Sequence, residues 1–146
     1  MGGYASLEVA VSDPHIAAVA VDDAYADPRD MMNIQVKHSG LGVIPLVARF
    51  TDFGFRMVNY AFRNEPPVTS RLTQLKTIPK LFIISQDQPD LAAQTLNLFA
   101  ASAEPKEMQR DRISYSDMSD DDRKNYENQI VNFFLQSIPP TALDGR

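Results

Sequence analysis

Residues 16–21 read Ile-Ala-Ala-Val-Ala-Val, a continuous apolar run closed by Asp22-Asp23. A strand with one wet face alternates apolar and polar residues. An unbroken run needs cover on both faces, which is the condition of a strand in a parallel sheet. Residues 81–84, Leu-Phe-Ile-Ile, repeat the pattern and lead into a polar loop, 85–90. Parallel neighbours need a crossover long enough to bring the chain back to the same end, so helices are expected between the strands.

The sequence supplies them. Residues 3–12 form a short apolar helix, with Tyr4, Leu7 and Val11 at helical spacing and alanines between; Asp13-Pro14 ends it. Residues 24–40 read as loop with one irregular turn. Residues 41–64 read as an apolar helical stretch that carries Arg49, Asp52, Arg56 and Arg63, which is too interrupted for a membrane span. A helical turn is expected over 71–77 and a helix over 91–102, followed by a turn at Glu104-Pro105-Lys106. Residues 109–115 suit a polar edge strand, with Ile113 and Tyr115 on one face. Ser119 is placed to cap a last helix whose first turn holds Asp120, Asp121 and Asp122 and whose stripe is Tyr126, Ile130, Phe133 and Phe134. Pro139-Pro140 closes it. The fold class is α/β, with three parallel strands, flanking helices and a helical lid-like insertion at about 27–75.

At 146 residues the chain fits a single domain, 1–146, and 44% hydrophobic content is enough for a core. The net charge of −5 argues against nucleic-acid binding, which leans on basic surface. The absence of cysteine excludes disulfides, thiolate catalysis and Cys-ligated zinc or iron–sulfur centres. Nothing in the sequence calls for a cofactor. The compartment stays open, with the cytoplasm slightly favoured.

Four stretches together carry a resemblance: Met1-Gly2-Gly3-Tyr4-Ala5, IPKLFIISQD at 78–87, Glu104 to Met108, and Tyr126 to Phe134. In that order and spacing the chain resembles the C-terminal half of an alpha/beta-hydrolase, beginning just after the serine of the nucleophile elbow. The resemblance implies a partial alpha/beta-hydrolase fold and an ancestry among serine esterases, lipases or peptidases. It places Met1 at the oxyanion-hole position and Asp87 at the position of the triad acid, with Asp90 the alternative. The histidine is expected within 114–118. That window reads Ser-Tyr-Ser-Asp-Met, with Tyr115 or Ser116 at the place of the imidazole. A serine hydroxyl needs a base to accept its proton, and an acid residue only orients that base. The expectation is therefore a chain inactive as it stands, with a small ester or amide as substrate only in a complete homologue.

Other candidates have plainer readings. His15 sits before the first strand, at the end opposite a carboxyl-end site, and His38 lies in the lid-like region; their spacing suits no metal. Asp22-Asp23 lies at a strand's carboxyl end, where open α/β sheets bind ligands, and also reads as a pair of solvated loop acids. Asp120–Asp122 lacks the spacing of a calcium loop and reads as helix-start charge. The aromatic stripe from Phe50 to Phe62 reads as core or lid. The strand at 16–21 is expected to carry an open edge, so the alternative function is a non-catalytic interaction module, binding a partner protein or a second copy through that edge or through the aromatic lid.

Overall fold

The computed structural model describes residues 2–27, 30–32, 34, 36, 49, 53–54, 57 and 67–138. Met1, His38, most of the lid-like insertion and Pro139-Pro140 lie outside the described residues. Along the chain the elements are α1 (Gly2–Ser12), β1 (Val19–Asp22), a single helical turn α2 (Val68–Arg71) continued by a 3-10 turn at Leu72–Gln74, β2 (Lys80–Ser85), α3 (Pro89–Ala101), β3 (Lys106–Asp111), a 3-10 turn at Tyr115–Asp117, and α4 (Asp120–Ser137).

The sheet is parallel, in the order β1-β2-β3, with Val19 opposite Lys80 and Lys80 opposite Lys106. β2 is buried at all six positions, as its unbroken apolar run requires. Alternation along the strands divides the core in two. On one face Val19, Val21 and Phe82 pack with Leu7 and Ala10 of α1, Val68 of α2 and Leu98 of α3. On the other, Leu81 and Ile83 pack with Tyr126 and Phe133 of α4 and with Met118, while Ala18 and Ala20 lie against them. Helices thus cover both faces, and each fully buried Leu, Ile or Phe contributes roughly 1.5–3 kcal/mol.

α1 lies close to the sheet because Gly3 has no side chain. A Cβ there would meet the Ala24 Cβ at 2.8 Å and the Val21 Cβ at 3.5 Å. At the amino end of the sheet, two adjacent lysines act as internal caps. The buried Lys80 Nζ donates to Leu75 O and Ile78 O, both at 2.6 Å, and burial pushes its pKa down. Lys106 Nζ donates to Phe99 O and Ser102 O, the carbonyls that end α3, and lies 4.5 Å over the Phe99 ring.

Several expected boundaries move. β1 begins at Val19 rather than at residue 16 and takes in Asp22. α3 begins at Pro89, whose missing N–H is harmless in the first turn of a helix. The helical turn expected over 71–77 starts earlier, at Val68. The largest change is β3: it spans 106–111, not 109–115, so Ile113 and Tyr115 follow the strand instead of lining it. Its polar residues are held by backbone pairing to a fully buried neighbour, so apolar periodicity does not mark its limits. Ser119 caps α4 as expected, its Oγ accepting from Asp122 N at 3.2 Å.

Candidate functional site

The carboxyl ends of the three strands gather four acidic side chains: Asp22 and Asp23 from β1, Asp87 after β2, and Asp111 from β3. Parallel strands in register place these ends side by side. Each acid is held differently.

Asp23 turns the chain out of β1 with φ 41°, in the left-handed region that aspartate tolerates better than most residues. Its N–H still donates to Ile83 O at 3.0 Å, and its Oδ1 accepts from Ser85 N at 3.1 Å. One residue on, the buried Thr95 of α3 fixes Ala24. Its Oγ1 accepts from Ala24 N at 2.8 Å and lies 3.1 Å from both Ala24 O and Leu91 O. Burial raises the pKa of Asp23, opposed by the Ser85 hydrogen bond and reinforced by the charges of Asp87 and Asp111.

Asp22 points to the opposite face. Its Oδ2 accepts from the Tyr126 hydroxyl of α4 at 2.8 Å, while its Oδ1 is buried with no partner. Burial raises its pKa; the Tyr126 bond opposes this, and Asp23 and Asp111 add repulsion. Tyr126 is raised in turn, first by burial and then by bonding to Asp22, so its proton stays on. The Asp111 carboxylate is held by Gln109 Nε2, at 3.1 and 2.9 Å.

Asp87 faces the loop that follows β3. Its Oδ2 accepts from Ser114 N and from Ser114 Oγ, both at 3.0 Å. Ser114 Oγ also lies 3.0 Å from Asp117 Oδ2 and 3.3 Å from Ser116 Oγ, so one hydroxyl proton is shared within a small polar cluster. Tyr115 turns away: its hydroxyl donates to Glu127 at 2.6 Å and its ring rests against Tyr126. Ser116 contacts Ser114 and Asp117, not Asp87. Asp90 sits in the first turn of α3. The acid after β2 and the loop after β3 are thus brought together, but through Ser114, not through Tyr115 or Ser116. The resemblance pointed to 114–118 with Tyr115 or Ser116 foremost; in the structure it is Ser114 that meets Asp87.

His15 lies at the other end of β1, exposed, with Nδ1 2.9 Å from Asp13 Oδ1. It cannot serve as a base for Asp87. Asp120 and Asp121 sit in the first turn of α4, exposed and beside Arg123 and Lys124, as helix-start charge would. Among the described residues no group of three or more His, Asp or Glu is arranged to hold a metal ion, and no helix is long and apolar enough to cross a membrane. The Tyr126–Asp22 bond, which ties α4 to β1 across 104 residues, carries no signal in the sequence beyond a tyrosine on an apolar stripe. No protein-family model, curated protein or solved structure matches the chain.

Proposed function

We propose that the chain is a serine-hydrolase-like scaffold, of esterase, lipase or peptidase type, that is catalytically silent. The observation that carries this reading is the apposition of Asp87 and Ser114. An acid after the central strand meets the loop after the next strand, which is the relation an acid–imidazole pair requires. Here the carboxylate is engaged by a serine N–H and hydroxyl. An aspartate alone is a weak base towards a hydroxyl, so the pair orders the loop and does no proton transfer. A fluorophosphonate probe should leave the protein unlabelled, and p-nitrophenyl butyrate should not turn over above background. Turnover that disappears in Asp87→Asn would show instead that the site is active. Kinship is tested separately by the coding DNA upstream of Met1: an open frame ending in Gly-x-Ser supports it, and unrelated sequence removes it.

A second reading has its own observation. β1 is an edge of the described sheet, and beside it runs a groove of about 410 Å³ lined by Ala5, Val9, Ile16, Ala18, Ala20 and Phe134. Val19 N bonds to Pro79 O, just ahead of β2, and Asp23 N to Ile83 O, so the intervening N–H groups of Ala20 and Asp22 face outwards. This arrangement suits addition of a strand from another chain. On this reading the scaffold works as an interaction module.

A further inference from the structure

The two edges of the described sheet are built differently. β3, Lys-Glu-Met-Gln-Arg-Asp, carries a charged or amide side chain at five of its six positions, a composition that keeps an edge strand from pairing with another chain. β1 has no such guard ahead of Asp22. Ile16 to Val21 is unbroken apolar sequence, and the N–H groups of Ala20 and Asp22 point away from β2. The groove beside β1 straddles this edge: Ala5 and Val9 of α1 stand on one side of the sheet and Phe134 of α4 on the other. A strand entering the groove meets an apolar wall on both of its faces, so it must itself be apolar on both. β1 is such a strand.

Charge decides the direction of the incoming strand. The carboxyl ends of the strands gather Asp22, Asp23, Asp87 and Asp111, while Lys80 and Lys106 begin β2 and β3 and Lys76 lies just ahead of β2. Two copies joined with β1 parallel to β1 would set acids beside acids. Antiparallel pairing sets the acidic end of each sheet beside the basic end of the other. We propose that the occupant of the groove is β1 of a second copy, antiparallel and related by a two-fold axis near Ala20, so that two three-stranded sheets become one of six strands. A contact of this kind uses the same surface on both copies, so it closes on itself and stops at a dimer. The proposal rests on the interaction-module reading, to which it supplies the partner, and is independent of the hydrolase-like one.

The chain has no cysteine, so His15→Cys, at an exposed site ahead of β1, accepts one spin label per copy. Double electron–electron resonance should place the two labels roughly 30 Å apart, because antiparallel pairing about Ala20 separates residue 15 from its mate by about ten residues at about 3.3 Å each. Parallel pairing would hold them within about 20 Å, since neighbouring strands lie only about 4.8 Å apart. In the full chain without substitution, amide exchange followed by NMR should find Ala20 and Asp22 N–H protected at high concentration and at least about tenfold faster to exchange after dilution. Labels within about 20 Å, or a dimer in which those two amides exchange freely, would overturn the proposal. A chain that stays monomeric overturns it too, in two distinguishable ways. Fast exchange at Ala20 and Asp22 leaves the edge open and dismisses only the second copy; slow exchange shows the edge covered from within and removes the interaction-module reading as well.

Discussion

Asp22 holds a carboxylate where one oxygen has a tyrosine hydroxyl and the other has nothing. Its folded pKa lies above the ordinary 3.8 because burial disfavours the charged form. The folded state therefore binds the proton more tightly than the unfolded chain does. Stability falls as pH rises from that ordinary value through the raised folded one, and the penalty is fully present at neutral pH. Asp23 is raised in the same direction and adds to the trend. Asp22→Asn, which keeps an oxygen for Tyr126 and removes the buried charge, should raise the urea midpoint at pH 7. The gap between the two proteins should close as pH falls below 4. Equal midpoints at pH 7 would mean that water reaches this carboxylate freely. At this scale the sequence was half legible. That Asp22-Asp23 ends a strand follows from the apolar run before it, but the left-handed backbone at Asp23, whose Oδ1 accepts from Ser85 N, is announced by no local pattern.

The Thr95 hydroxyl of α3 holds the turn after β1. Thr95 Oγ1 satisfies both the N–H and the C=O of Ala24 in a site shielded from water. Thr95→Val keeps the shape and strands those two backbone groups, and should cost about 1–3 kcal/mol in equilibrium unfolding. Thr95→Ser should recover most of that loss, and a valine variant as stable as the parent would show that water replaces the hydroxyl. The elements themselves were legible where burial is strong. α1, β2 and the capped start of α4 follow from apolar spacing, an unbroken run and Ser119 ahead of three aspartates. β3 was misread by three residues at its start and four at its end because Lys106, Gln109 and Arg110 are chosen for caps and surface rather than for a buried face; its limits are set by pairing with β2, a long-range fact. Ser114 was missed for a related reason. Which residue of the 112–119 connection meets Asp87 depends on where the strand stops, and the strand stops sooner than its sequence suggests.

Among the described residues the parallel sheet is clothed on both faces and has no strand beyond β1. In the groove beside that edge Val9 is 48% exposed. Outward-directed N–H groups next to apolar surface favour self-association. Light scattering after size exclusion should show the chain above its 16.3 kDa monomer mass. Val9→Glu places a charge in the groove without touching the core and should shift the population towards monomer. A parent chain that runs as a monomer at the same concentration would show that the edge is covered from within. The layered architecture was readable from the two apolar runs and the helices between them.

The contact between Gly3 and Ala24 joins the first helix to the acidic rim with no slack, since not even a methyl group fits between them. Gly3 therefore acts as the short arm of a lever whose other end is Asp22 and Asp23. Any polypeptide tethered ahead of Gly2 that tilts this helix would move those carboxylates directly, and would change their shielding from water without touching them.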